Sequence, residues 1–150
     1  MAFSFRLQKI LEYREKQKKL AQEELAVSQM ELQAIQDELA RLEREEEKLL
    51  QYQRKSQHRA LEPLTLFSIE NYRFFLQESY QNNLQALEEQ EKKVEEKRHA
   101  VVECWRSCQV LEKLKENAAY KFFQEEKIRE QHLNDEISLY GYFRKERQLF

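Results

Sequence analysis

One proline, Pro63, and one glycine, Gly141, are the only residues among 150 that interrupt a helix by their own chemistry. Around them the chain is dominated by Glu, Lys, Gln, Leu, Arg and Ala, the residue types that lose least on entering a helix. A chain so short of turn residues can form little except very long helices, and a lone break between two such stretches predicts a hairpin. Charged residues make up 36% of the sequence, a share that does not fit a compact globule with a large core.

The charges nearly cancel. There are 28 acids against 26 bases, a net charge of -2, so the chain exerts little long-range pull on nucleic acid or anionic lipid, and nucleic acid is set aside as a partner. No stretch approaches the roughly 20 apolar residues that cross a bilayer, and Met1 to Arg6 lacks the apolar run of a signal peptide. The expected compartment is the cytoplasm, which agrees with only two cysteines, Cys104 and Cys108, and no disulfide framework.

Stepping alternately by four and three from Leu7 gives Leu7, Leu11, Arg14, Lys18, Ala21, Leu25, Ser28, Leu32, Ile35, Leu39, Leu42, Glu46, Leu49 and Gln53. Nine of these fourteen are apolar. A spacing that averages 3.5 residues keeps one seam against a partner helix, so this is a coiled-coil register. The polar positions Arg14, Lys18, Ser28 and Glu46 are expected to turn out of the seam toward water. A looser match follows in the second arm: Leu76, Tyr80, Asn83, Leu87, Gln90, Val94, Lys97, Val101, Cys104, Cys108, Leu111, Lys115, Ala118 and Phe122. Beyond it the pattern runs into Glu125, Arg129, His132 and Glu136, so the tail from about Gln124 is expected to lack a partner within the chain.

The fold class that follows is all-α: a long antiparallel two-helix coiled-coil hairpin with the second helix overhanging. Helix 1 is expected over about 4–58, the bend over about 59–67 with Pro63, and helix 2 over about 68–147. Thr65 and Ser68 are the candidate caps. Folding about Pro63 sets two residues opposite each other when their numbers sum to roughly 126, which places Phe5 opposite Lys121. A dimer of longer helices kinked at Pro63 is the rival arrangement. The tether between the arms favours the hairpin by raising their effective concentration.

The 17 aromatic residues are unevenly placed. Tyr52, Phe67, Tyr72, Phe74, Phe75 and Tyr80 lie near the bend. Phe3, Phe5, Tyr13, Tyr120, Phe122, Phe123, Tyr140, Tyr142, Phe143 and Phe150 lie near the open end, and Trp105 stands alone in the shaft. A two-helix seam buries one stripe of each helix, so neighbours such as Phe74 and Phe75 cannot both point inward. Exposed rings gathered in patches mark interaction surfaces, although rings near the bend could equally cap the hairpin.

Sites for chemistry are scarce. Cys104 and Cys108 share a face one turn apart, but zinc would need two further ligands, and packing in the seam is the better reading. His58, His99 and His132 have no nucleophile or carboxylate partner in any motif. Glu45 with Glu46, and Glu88 with Glu89, would act as acid and base only inside a cleft, and none is expected. One glycine cannot build a phosphate-cradling loop. The stretches Arg14 to Lys19 and Lys92 to Arg98 interleave with Glu as solvated faces. No enzyme activity, cofactor or metal is expected.

Three segments carry a family likeness: Phe3-Ser-Phe-Arg-Leu-Gln-Lys-Ile-Leu-Glu-Tyr-Arg-Glu15, Asn71-Tyr-Arg-Phe-Phe-Leu76 and Glu130-Gln-His-Leu-Asn-Asp-Glu136. In order and spacing they resemble the flagellar export protein family FliJ over nearly the whole chain. The resemblance implies a cytoplasmic coiled-coil hairpin, peripheral to the inner membrane at the flagellar base. Such a hairpin is similar in shape to the stalk subunit of rotary ATP synthases and serves the type III export apparatus without catalysis of its own. The implied partners are the hexameric export ATPase FliI and the export gate FlhA, with FliH and export chaperones as further candidates. The likeness assigns the ATPase ring to the open end, at Phe5, Leu7, Leu11, Tyr120, Phe123, Tyr140 and Tyr142. It assigns the gate to the tip, at Leu49, Tyr52, Tyr72 and Phe75.

Overall fold

The computed structural model describes residues 2–56 and 62–149. Two helices account for almost all of them: α1 spans Gln8–Ser56 and α2 spans Pro63–Leu149. The two pack against each other as an antiparallel hairpin, and no strand occurs among the described residues. His58 and the first residues of the expected bend, 59–61, lie outside the described residues, as does Phe150.

Both helices start elsewhere than the sequence suggests, for identifiable reasons. Helix α1 begins at Gln8 rather than near residue 4. Residues 2–7 instead alternate between exposed and half-buried, which is the period of an extended chain with one face packed. The amide of Gln8 donates to the Phe5 carbonyl and that of Leu11 to the Leu7 carbonyl, closing the first turn. Helix α2 begins on Pro63 itself. Pro63 has no N–H to leave unpaired in the first turn and its φ is already helical, so it starts this helix instead of occupying the bend. The Leu66 amide donates to the Glu62 carbonyl, which makes Glu62 the cap. Thr65 and Ser68 therefore sit inside the helix, and the Ser68 hydroxyl donates back to the Leu64 carbonyl.

The chain divides into two compact units: Lys19–Glu103, and Met1–Lys18 with Cys104–Phe150. In the first, Leu39, Leu42, Ile69, Leu76 and Val94 are buried along the seam. Each contributes on the order of 1.5–3 kcal/mol through its removal from water. One layer of this seam is polar. Gln90 is buried, and its amide donates to the Ser28 carbonyl at 3.0 Å and to Glu31 Oε2 at 3.1 Å. Ser28 thus stays in the seam instead of turning to water: its side chain is too short to reach out, and its small size leaves room for Gln90. Ser28 faces Gln90 and Glu24 pairs with Lys97 at 3.0 Å, where folding about Pro63 would set them opposite about 98 and 102. The register is shifted because Pro63 belongs to α2 and is not the apex.

In the second unit Leu11 and Cys108 are the most deeply buried side chains among the described residues. Cys108 is 1% exposed, and burial pushes its thiol above the usual range, so it is a neutral filler. All fourteen seam positions of the second arm, Leu76 to Phe122, are buried or half-buried. From 127 to 148 every residue is exposed, while the helix continues without interruption.

Candidate functional site

Aromatic and aliphatic groups left in water are the features with which this chain can act on another molecule. Those gathered toward the helix ends fall into two sets, one in each unit, while Leu20, Val27, Met30, Trp105 and Val110 are exposed along the paired stretch between them.

In the unit Lys19–Glu103, Tyr52, Tyr72 and Phe75 are exposed and Leu49 is half-buried. Tyr72 is partly held in place, its hydroxyl 3.4 Å from Glu45 Oε2. Tyr80 donates to Glu43 Oε1 at 3.1 Å, a bond that favours the phenol over the phenolate and raises its pKa. The set is larger than the sequence suggested: Leu64, Leu66, Phe67 and Phe74 are exposed as well. Phe67 and Phe74 were visible as rings near the bend, but Leu64 and Leu66 were missed. For Leu64, exposure follows from helical phase once Ile69 and Leu76 are fixed in the seam, whereas Leu66 shares the face of Ile69 and is exposed all the same.

In the other unit the seven residues expected at the open end separate. Phe5 and Leu7 are half-buried and Leu11 is 3% exposed, so these three face α2. Phe3, absent from the expected set, packs with ring centroids 5.5 Å from Phe122 and 6.5 Å from Phe123. Phe122 and Phe123 meet edge-on at 5.6 Å; Phe122 is half-buried in this cluster, whereas Phe123 is still 60% exposed. Tyr120 remains exposed.

The tail differs. Tyr140 is 71% exposed, and Leu133, Ile137, Leu139, Tyr142 and Phe143 are exposed with it. Tyr142 meets Phe143 edge-on at 6.1 Å. Tyr140 and Tyr142, two positions apart on a helix, point to opposite sides and are not brought together. Tyr140, Phe143, Arg144 and Arg147 share one face and line a shallow surface pocket.

Among the described residues no cluster of His, Cys, Asp or Glu could hold a metal. His99 lies 3.9 Å from Glu95 on an open helix face, and His132 is exposed on the tail. No helix is long and apolar enough to cross a membrane, among the residues described. A model of the flagellar FliJ protein family matches residues 3–147. The chain belongs to the FliJ family. No curated protein and no solved structure matches it. Membership of the FliJ family makes this a flagellar export-related protein. The three segments with the family likeness lie in the N-terminal strap and first turns of α1, the third and fourth turns of α2, and the exposed tail.

Proposed function

We propose that the chain is a non-catalytic stalk of the flagellar type III export apparatus, binding the export ATPase FliI through its open end and the export gate FlhA through the tip. The observation that carries this reading is the tail: 22 residues of helix, 127–148, with every side chain in water and three exposed rings at Tyr140, Tyr142 and Phe143. A free helix of that kind gains nothing from apolar exposure unless another molecule covers it. Near the other helix ends, Leu49, Tyr52, Tyr72 and Phe75 supply a second surface. Placing the two sets in different compact units suits a part that touches two partners. FliH and export chaperones would bind along the same exposed faces. The protein would work in the cytoplasm and meet the inner membrane only through its protein partners.

Mixing the protein with the ATPase should raise its turnover or its assembly into rings; no change in either quantity counts against the stalk. Substituting Phe75 and Tyr142 separately, and scoring gate and ATPase binding for each, tests the division of labour. Equal loss of both interactions in both variants would remove it.

A further inference from the structure

Many cations on this molecule are accompanied by acids, but those at the end of the tail, like Arg14, Arg54 and Lys55, have none at their helical neighbour positions. Arg41 holds Glu38 by two bonds of 3.0 and 2.6 Å, Lys48 reaches Glu45, Lys92 reaches Glu88, Arg98 reaches Glu95, and Lys97 reaches Glu24. Arg144 has Tyr140, Gly141, Arg147 and Gln148 at its helical neighbour positions, Lys145 has Gly141, Tyr142, Gln148 and Leu149, and Arg147 has Phe143 and Arg144. No acid occupies any of these positions. The helix dipole favours basic groups in a last turn, but by only a few tenths of a kcal/mol, and it gives no reason for rings beside them. Here Tyr140, Phe143, Arg144 and Arg147 form one pocket, and Leu133 and Ile137 continue the stripe toward the N-terminus.

We propose that this face of α2 receives an acidic, partly apolar protein surface, whose carboxylates pair with Arg144 and Arg147 while Tyr140 and Phe143 cover its apolar side chains. The inference deepens the stalk reading and rests on it, naming the chemistry that the ATPase must present to the tail. Guanidinium groups suit this role because their planar donors match a carboxylate in pairs. An anionic membrane is the less suitable occupant. At 100° per residue, Leu133, Ile137, Leu139, Tyr140, Tyr142 and Phe143 spread over more than half the helix circumference, wider than the stripe that lies on a flat bilayer. Three cations at about 1 kcal/mol each give a weak lipid anchor.

The test measures binding of full-length protein to the export ATPase from low to high salt, and to phosphatidylcholine vesicles containing about a third phosphatidylglycerol. The variants are Arg144→Glu with Arg147→Glu, Arg144→Lys with Arg147→Lys, and Tyr140→Ala with Phe143→Ala. All six changes are on exposed side chains, and circular dichroism checks that the helices persist. Charge reversal should weaken ATPase binding roughly tenfold or more and flatten its salt dependence, with the lysine variant losing less. If the ring variant weakens binding but reversal changes neither affinity nor salt slope, the acidic partner is wrong and the stalk reading stands. If no variant weakens binding, the tail contact itself falls. Vesicle binding that is as tight as ATPase binding and is abolished by reversal would overturn the proposal in favour of a membrane.

Discussion

Residues 76–122 and 127–148 belong to one unbroken helix, yet different forces hold them. In the first stretch every seam position from Leu76 to Phe122 is covered by the opposing arm or the N-terminal strap. In the second, from 127 to 148, the same backbone continues with every side chain exposed. Propensity alone rarely sustains an isolated helix of this length, so the tail relies on nucleation from the paired stretch behind it. The difference teaches that packing and exposure have been assigned to separate lengths of one element. Side chains that would stabilise the fold are spent in the first length, and those that would meet a partner stand free in the second.

Substitution at both places is the strongest way to break this contrast. Leu76→Ala should cost about 2–4 kcal/mol in urea unfolding, because a buried side chain is removed from a seam that cannot fully collapse. Ile137→Ala should leave stability within about 0.5 kcal/mol. Comparable losses at the two sites would mean that the tail is packed after all. A peptide of residues 127–148 should be less than about half helical by circular dichroism, whereas a fully helical peptide would show that the tail needs no nucleus.

Gln90 sharpens the contrast within the paired stretch. Gln90→Leu removes the polar layer, and the melting temperature should stay level or rise by a few degrees while light scattering begins to show concentration-dependent dimers. A sharp fall in stability with the mass unchanged would show that the layer supports the seam and does not select its register. Gly141→Ala should strengthen the tail helix by roughly 0.5–1 kcal/mol, since the new methyl group meets nothing within 4 Å.

Dependence on pH should be the smallest effect. The Tyr80 and Cys108 values are raised, by the bond to Glu43 and by burial respectively, so the stability they contribute is complete below about 9 and is lost as pH rises past their folded values. The Glu38 value is lowered by Arg41, so its contribution is present near neutrality and fades as pH falls through that lowered value; the pair is in water and its effect is slight. Melting temperature followed from pH 3 to 10.5, roughly, checks both signs.

The hairpin and its overhang were legible because counting by 3.5 residues marks the seam directly and marks where it stops. Two features resisted that count. The alternation Phe3, Phe5, Leu7 against Ser4 and Arg6 is the period of extended chain, but it sits against a strong helical pattern and is easily absorbed into it. Pro63 reads as a breaker in the sequence, although a proline serves equally well as the first residue of a helix, and its place in α2 shifts the register of the arms. For the exposed surfaces, the rings themselves were visible. Their exposure was not, because Leu11 and Tyr140 look alike in sequence until the opposing arm is known to reach one and not the other.

Cys108 turns the second unit into its own stopwatch. A thiol so thoroughly covered can meet a modifying reagent only while the two arms are momentarily apart. The pace at which the intact protein takes up label at that sulfur, compared with unfolded chain, would therefore clock how often the arms breathe open, without any residue being changed.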